Sequence, residues 1–401
     1  MALSDLRAIL TRPLVGRVFN CGVPLQLVSV GLPSGVHVSR RTLLLAGAAL
    51  PLAGCSTSGQ WQAVTLDAAP TALAPLGTGL LIGTAGPALA GPAGAIAVTT
   101  STPYGNEANW VSLATHGERI VGLGTPHGGA HANNRWTTFT GTTTAVTDLD
   151  QPFDVFHGWG ARQLVAAVLS GDQPVIVGSW QSPIAGNDVA VWLLDGSRWT
   201  RRDSAGTPLA STTTSLVQAA AAEGGTRLMV AGQAIELSPL RTRAMVWTTL
   251  DPRGDWAHVE LPSTATTTSA QAIATMADGW LVAGRADDQL IAWTITADLN
   301  ITPVEVPQTP AGDSVQVAGG PDRRALIVAA DGARVRALVG RTGSWQSSTL
   351  PGTSVVAAAW SDAPAVITRA SASSASMRAS TRLRTAEGRG VTRSGSCSCC
   401  R

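Results

Sequence analysis

His127 and His131 stand four residues apart and form the clearest chemical pair in the sequence. On a helix that spacing puts two imidazoles on one face, where they can share a metal ion. Gly128-Gly129 lies between them, so the pair falls on a loop. Asn133 and Asn134 add only weak ligands, and the next acid is Asp148. The pair therefore reads as part of a solvated or ligand-facing loop, with no metal assigned. Tyr104 is the only Tyr, and with no Lys there is no phosphate-binding Gly-x-x-x-x-Gly-Lys loop. Residues 56–368 hold no Cys, no Gly-x-Ser-x-Gly and hence no thiolate metal site or Cys/His dyad. Nucleotide and acyl-transfer chemistry lack their residues, and no cofactor is expected.

The elements that position such residues recur along the chain. An Ala/Val-rich run, a Gly/Asp turn and a second run ending in Val-Ala-Gly or similar repeat through 61–368. The second runs are anchored at Ile82, Val121, Val177, Val230, Val282, Val328 and Ile367, 39, 56, 53, 52, 46 and 39 residues apart. That period predicts an all-β propeller of seven four-stranded blades. Third strands are expected at Ala95–Thr100, Arg135–Thr140, Val189–Leu194, Ala244–Thr249, Leu290–Thr296 and Val335–Gly340. Fourth strands start at Trp199, Trp256 and Trp345. Trp61–Leu66 resembles Trp345–Leu350 and reads as an orphan fourth strand that closes the ring. After Ile367 no third strand follows, so the last blade is expected to be incomplete at the C-terminus.

In a propeller, loops joining second to third strands share a face with those joining blades, and that face binds things. The loops expected there are 85–94, 125–134, 180–188, 233–243, 285–289 and 331–333. The candidate ligand contacts are His127, His131, Trp180, Arg241, Arg243, Arg285 and Asp287.

Asp195-Gly196-Ser197-Arg198-Trp199 follows Val191-Trp192, and looser versions are Asp251–Trp256 after Trp247 and Arg341–Trp345. These segments resemble the Asp-box repeats of sialidase-type propellers, covering three of seven blades. They depart from the full Ser/Thr-x-Asp-x-Gly-x-x-Trp pattern. Asp-Gly makes a tight turn, and the flanking Trp side chains pack across the hairpin or between blades. The resemblance implies the fold rather than an activity. True sialidases imply an arginine triad, a Tyr/Glu pair and an Asp acid. Tyr104 lies in a turn-like Pro103-Tyr104-Gly105, and no Arg-Ile-Pro opening is present.

The chain ends carry a different message. All 28 basic residues are Arg, as a GC-rich, actinobacterial-type coding sequence would give. The formal charge is +2, yet 55–368 hold 16 Arg against 24 acids, a net of −8. Such a body is unsuited to nucleic acid. Ser39-Arg40-Arg41-Thr42-Leu43-Leu44 resembles a twin-arginine export motif and leads into an apolar run to Leu52. The run is too short and too rich in Ala and Gly to span a bilayer. Leu52-Ala53-Gly54-Cys55 resembles a bacterial lipobox, which makes Cys55 the lipid-bearing first mature residue. Val36 is a second candidate start beside Met1; residues 1–35 show no clear pattern.

The organisation expected is 1–54 extension and signal, 55–60 linker, 61–368 propeller and 369–401 disordered Arg/Ser-rich tail. The function expected is a monomeric binding or scaffold module for an envelope protein or glycan. It would be held on the extracytoplasmic face of the cell membrane by the lipid on Cys55. The alternative is a degenerate sialidase-like glycan hydrolase.

Overall fold

The computed structural model describes residues 25–30, 61–64, 66–126 and 134–370. Strands β1 (Leu25–Val30) and β2 (Trp61–Val64) come first in the chain but belong to the last blade. The first blade is β3 (Pro70–Leu76), β4 (Gly79–Thr84), β5 (Ala88–Gly91) and β6 (Gly94–Thr99). Helix α1 (Pro103–Asn106) leads to the second: β7 (Asn109–His116), β8 (Arg119–Thr125), β9 (Thr137–Thr142) and β10 (Ala145–Leu149). Helix α2 (Phe153–Phe156) leads to the third: β11 (Ala161–Ser170), β12 (Gln173–Gln181), β13 (Asn187–Asp195) and β14 (Arg198–Arg201). The fourth is β15 (Ser215–Glu223), β16 (Leu228–Leu237), β17 (Leu240–Thr249) and β18 (Ala257–Glu260). The fifth is β19 (Thr268–Met276), β20 (Gly279–Ala286), β21 (Gln289–Ile295) and β22 (Ile301–Val304). The sixth is β23 (Ser314–Gly319), β24 (Ala325–Ala330), β25 (Val335–Arg341) and β26 (Ser344–Leu350). The last begins with β27 (Ser354–Trp360) and β28 (Pro364–Arg369).

The innermost strands β3, β7, β11, β15, β19, β23 and β27 touch in that order, and β27 returns to β3. Seven buried apolar clusters fill the seams between neighbouring blades. One of them joins Leu73 of the first blade to Ala359, Ala365 and Ile367 of the last. The chain is an all-β propeller.

The repeated Gly of the second run has a physical reason. In six of the seven blades the first strand carries a β-bulge, and β23 alone runs without one. Three of these bulges lie against Gly178, Gly232 and Gly284. A Cβ there would fall 2.5, 2.0 and 1.8 Å from the carbonyl oxygens of Gln163, Gln218 and Ser269. Only a residue without a side chain lets the bulged carbonyl approach this closely.

Tryptophans then pin the third, fourth and fifth blades. Trp192, Trp247 and Trp293 occupy matching places in third strands and are fully buried. Each donates its indole N–H to a carbonyl in the segment entering its own blade: Val155 at 2.9 Å, Pro208 at 2.8 Å and Pro262 at 2.9 Å. Trp199 reaches the neighbouring blade and donates to Thr138 Oγ1 at 2.8 Å.

Three expectations need correction. Gly94–Thr99 is the fourth strand of the first blade, because Pro92-Ala93 forms a two-residue turn between paired Gly91 and Gly94 and makes Ala88–Gly91 the third. Segment 233–243 is not a loop: β16 and β17 stay paired out to Leu237 and Leu240, leaving only Ser238-Pro239 as the turn. The last blade is not short of a strand. Its order is β2-β1-β28-β27, so Leu25–Val30 is the third strand and Trp61–Val64 the fourth. The third strand comes from the stretch without an evident pattern, because a central strand is held by ladders on both sides rather than by strong local patterning. The tail from 371 onward lies outside the described residues.

Candidate functional site

Arg40, Arg41, Cys55, His127 and His131 lie outside the described residues. Most of the other candidates have structural partners. Arg243 pairs with Glu236 at 2.6 Å and also with Glu260. Arg241 stands opposite Glu236 in the β16–β17 ladder. Arg285 pairs with Asp313 at 2.9 Å. Asp287 is a turn residue with φ of 52°, and its Oδ1 accepts from the Thr267 N–H at 3.4 Å. Asp148, the first acid after the histidine pair, accepts four bonds from the N–H and hydroxyl groups of Ser101 and Thr102. Desolvation pushes its carboxyl up, but the bonds from Thr102 and Ser101 outweigh it and hold it below the usual carboxylate range. Asp148 thus secures the joint where β6 and β10 pair in parallel and merge the first two blades into one sheet.

Trp180 behaves differently. It lies at the end of β12, beside the segment entering β11 and the end of β14. A hollow of about 370 Å³ opens there, lined by Trp159, Trp180, Gln181, Asp188, Arg201 and Asp203. A second hollow of about 210 Å³, lined by Asp154, Arg198 and Thr200, shares Trp180 and Arg201 with the first. The two residues form a ridge between the hollows. The Arg201 guanidinium sits 4.9 Å from the Trp180 ring centre. Trp180 in turn meets buried Trp192 edge-on, at 6.0 Å and 70°.

Local sequence builds this place. Gly160 is needed because a Cβ there would fall 2.3 Å from Trp180 Nε1. Arg162 donates to Gln181 Oε1 at 3.2 Å, Asn187 Oδ1 at 3.2 Å and the Trp159 carbonyl at 3.3 Å. It ties the Trp159 turn to the β12–β13 hairpin. Trp159 itself is 91% exposed, whereas the indoles of the third strands are buried. Phe153 and Ile184, nearby in the flanking connections, are also exposed. His157 stacks on Phe153 at 5.0 Å. Desolvation and the nearby Arg135 hold its imidazole below the usual pKa, so it is neutral at pH 7.

No protein-family model and no curated protein matches the sequence. Among solved structures, human WBSCR16 is 10% identical with a TM-score of 0.43, over 87% of this chain and 99% of that one. YCF48 bound to D1 peptide is 10% identical with a TM-score of 0.43, over 73% and 86%. The Dos1 propeller is 7% identical with a TM-score of 0.43, over 75% and 92%. Likeness at this level assigns neither ligand nor activity.

The hollow therefore speaks through its own chemistry. It offers the exposed Trp159 indole, the half-buried Trp180 ring with a guanidinium over it that makes no ion pair among the described residues, and two carboxylates. Asp188 is buried, with Oδ1 accepting from the Ser211 N–H at 2.8 Å. Asp203 is exposed and caps Ala205 N–H at 3.0 Å. Such a set stacks planar or ring-shaped groups and hydrogen-bonds their edges. No group of three or more His, Cys, Asp or Glu suited to a metal ion occurs among the described residues. Sequence reasoning found Trp180 but missed Trp159, Arg201, Asp188 and Asp203. The signal for Trp159 was present: Gly158-Trp159-Gly160 puts a large apolar side chain where no strand can bury it.

Proposed function

We propose that the chain is a binding module of the cell envelope, exported and held by a lipid on Cys55, whose ligand is a glycan seated across Trp159 and Trp180. The exposed Trp159 beside Trp180 carries this reading. A freely exposed indole costs solubility without adding to the core, and sugar rings stack on such faces while their hydroxyls meet charged side chains. Arg201 suits a carboxylate or hydroxyl pair on the same ligand. The anchor reading rests on the sequence pattern from Ser39 to Cys55 alone.

Titration with envelope glycan fragments, followed by Trp fluorescence and calorimetry, tests the ligand. Saturable binding that Trp159→Ala abolishes supports it; no binding across a broad glycan panel overturns it. Mass spectrometry of Cys55 from envelope fractions tests the anchor separately. A second reading, a degenerate glycan hydrolase, draws on Asp188 and Asp203 lining the same hollow. Release of reducing ends from a bound glycan, lost in Asp188→Asn, distinguishes it from simple binding.

A further inference from the structure

The closing blade is assembled unlike the others. β1 stands between β28 and β2, antiparallel to both. Leu25 through Ser29 pair with Arg369 through Ala365, and Leu27 through Val30 pair with Val64 through Trp61. In the sheet, β2 reaches the rest of the blade only through β1. A chain lacking Leu25–Val30 therefore has two facing edges of unpaired N–H and C=O groups, a site for strand addition.

The strand that fills the site and its neighbour β2 stand on opposite sides of one bond, Gly54–Cys55 of the lipobox. We propose that the slot between β28 and β2 is a strand-acceptor site. Leu25–Val30 occupies it in the uncut chain, and cutting ahead of Cys55 makes that strand exchangeable for an extended segment of another polypeptide. The release step rests on the lipoprotein reading above; the acceptor site does not. The cut adds water across the Gly54–Cys55 amide, leaving a carboxylate on Gly54 and an amine on Cys55. It breaks no bond within β1 or β2.

The slot also states what it takes. Val366 of β28 is buried in the seam to the sixth blade, whereas Ala365 and Ile367 are buried in the seam to the first. Both faces beside a guest strand are apolar, so the guest carries apolar residues at both parities of its alternation. Leu25-Gln26-Leu27-Val28-Ser29-Val30 has that composition, with Leu25 and Leu27 on one parity and Val28 and Val30 on the other. A guest strand is also free of proline, since a central strand donates N–H groups to both neighbours.

The test uses the full chain with a specific protease site replacing residues 45–48 and Cys55→Ser to prevent lipidation. After folding and cutting, the N-terminal fragment should stay with the propeller in size exclusion. A fluorescent peptide of residues 23–32 in excess should then displace it, and the same peptide with Val28→Pro should not. A chain starting at residue 55 should melt about 5 °C or more below the uncut chain and recover on adding the peptide. If that chain fails to fold, the cut full-length protein still reports exchange. Immediate loss of the fragment, with no peptide uptake, overturns the site. So does an unchanged melting temperature without peptide binding, the result expected if Trp61–Val64 pairs directly with β28. Absence of peptides covering residues 25–30 from the cellular precursor also overturns it.

Discussion

The third and fourth blades share one chassis and differ at one end. Both have a bulged first strand set against a glycine, Gly178 or Gly232. Both have a buried third-strand indole, Trp192 or Trp247, bonded to the segment entering the blade. Two residues beyond the glycine they part. The third blade has Trp180 opposite Asp188, and the fourth has Ala234 opposite Arg243. In the third, the nearby cation rests on an indole face and the surface opens into a hollow. In the fourth, Ala234 is buried and Arg243 is closed off by Glu236 and Glu260. The difference shows how a repeated fold acquires a site: the chassis stays constant, and a few side chains at one end of one blade change.

The comparison first breaks or holds at the chassis. Trp192→Ala and Trp247→Ala should each destabilise the protein by about 3–5 kcal/mol, since both empty a fully buried site and orphan a carbonyl. Denaturant melts check this. Costs that differ by several kcal/mol would show that the two blades are not equivalent beneath their surfaces.

Next comes the open end of the third blade. Trp159→Ala should leave the melting temperature unchanged, because the side chain is 91% exposed, yet weaken glycan binding by roughly tenfold or more. Trp180→Ala should lower both, because Trp180 also packs against Trp192. Calorimetry beside thermal melts separates the two. An unchanged affinity in Trp159→Ala would move the ligand away from this hollow.

The opposite ends of the same blades differ in pH response. The first strand of the third blade ends at Ser170 and that of the fourth at Glu223, whose carboxylate accepts from Thr275 Oγ1 at 3.1 Å. Desolvation pushes the Glu223 carboxyl up to about 7 against the pull of that bond. The unfolded chain releases this proton near its ordinary value of 4.5, while the folded chain keeps it to about 7. The group's contribution is therefore fully present below about 4.5 and is lost as pH rises to about 7. Glu223→Gln should remove that fall, on the order of 1–2 kcal/mol, in the difference between two stability-versus-pH curves. Parallel curves for the two proteins would place Glu223 in water.

The chain's Gly and Trp residues show how far a sequence can be read. The period of second runs and the Asp-Gly turn before Trp199 announced a propeller, because strand and turn chemistry is local. The reason for the glycines was not legible. Gly178, Gly232 and Gly284 admit a bulged carbonyl, whereas a Cβ at Gly83 or Gly122 would fall 2.6 or 2.5 Å from the Trp110 ring. Those two demands come from different neighbours and leave the same letter in the sequence. Likewise Trp192 and Trp159 are one residue type, one buried by its strand and the other stranded between glycines. The β1 pairing was the least legible feature, since both its partners are remote in sequence. Arg241, Arg243, Arg285 and Asp287 stood out as charges near hairpin ends. Arg243 and Arg285 are neutralised by carboxylates, Asp287 serves its turn, and Arg241 faces Glu236 across the ladder.

The smallest effects should lie in those charges, and they sharpen the comparison most. Arg243→Ala removes a guanidinium from two carboxylates, all three partly exposed. Water screens such pairs, so the loss should stay below about 1 kcal/mol, with no change in glycan binding. Arg201→Ala should cost no more than about 1 kcal/mol, since Arg201 makes no ion pair among the described residues and loses only its contact with the Trp180 ring, but should weaken binding of a carboxylated glycan more than of a neutral one. Melts and titrations of the two variants side by side decide it. If Arg243→Ala weakened binding and Arg201→Ala did not, the fourth blade would hold the site and the paired arginine would be its cation.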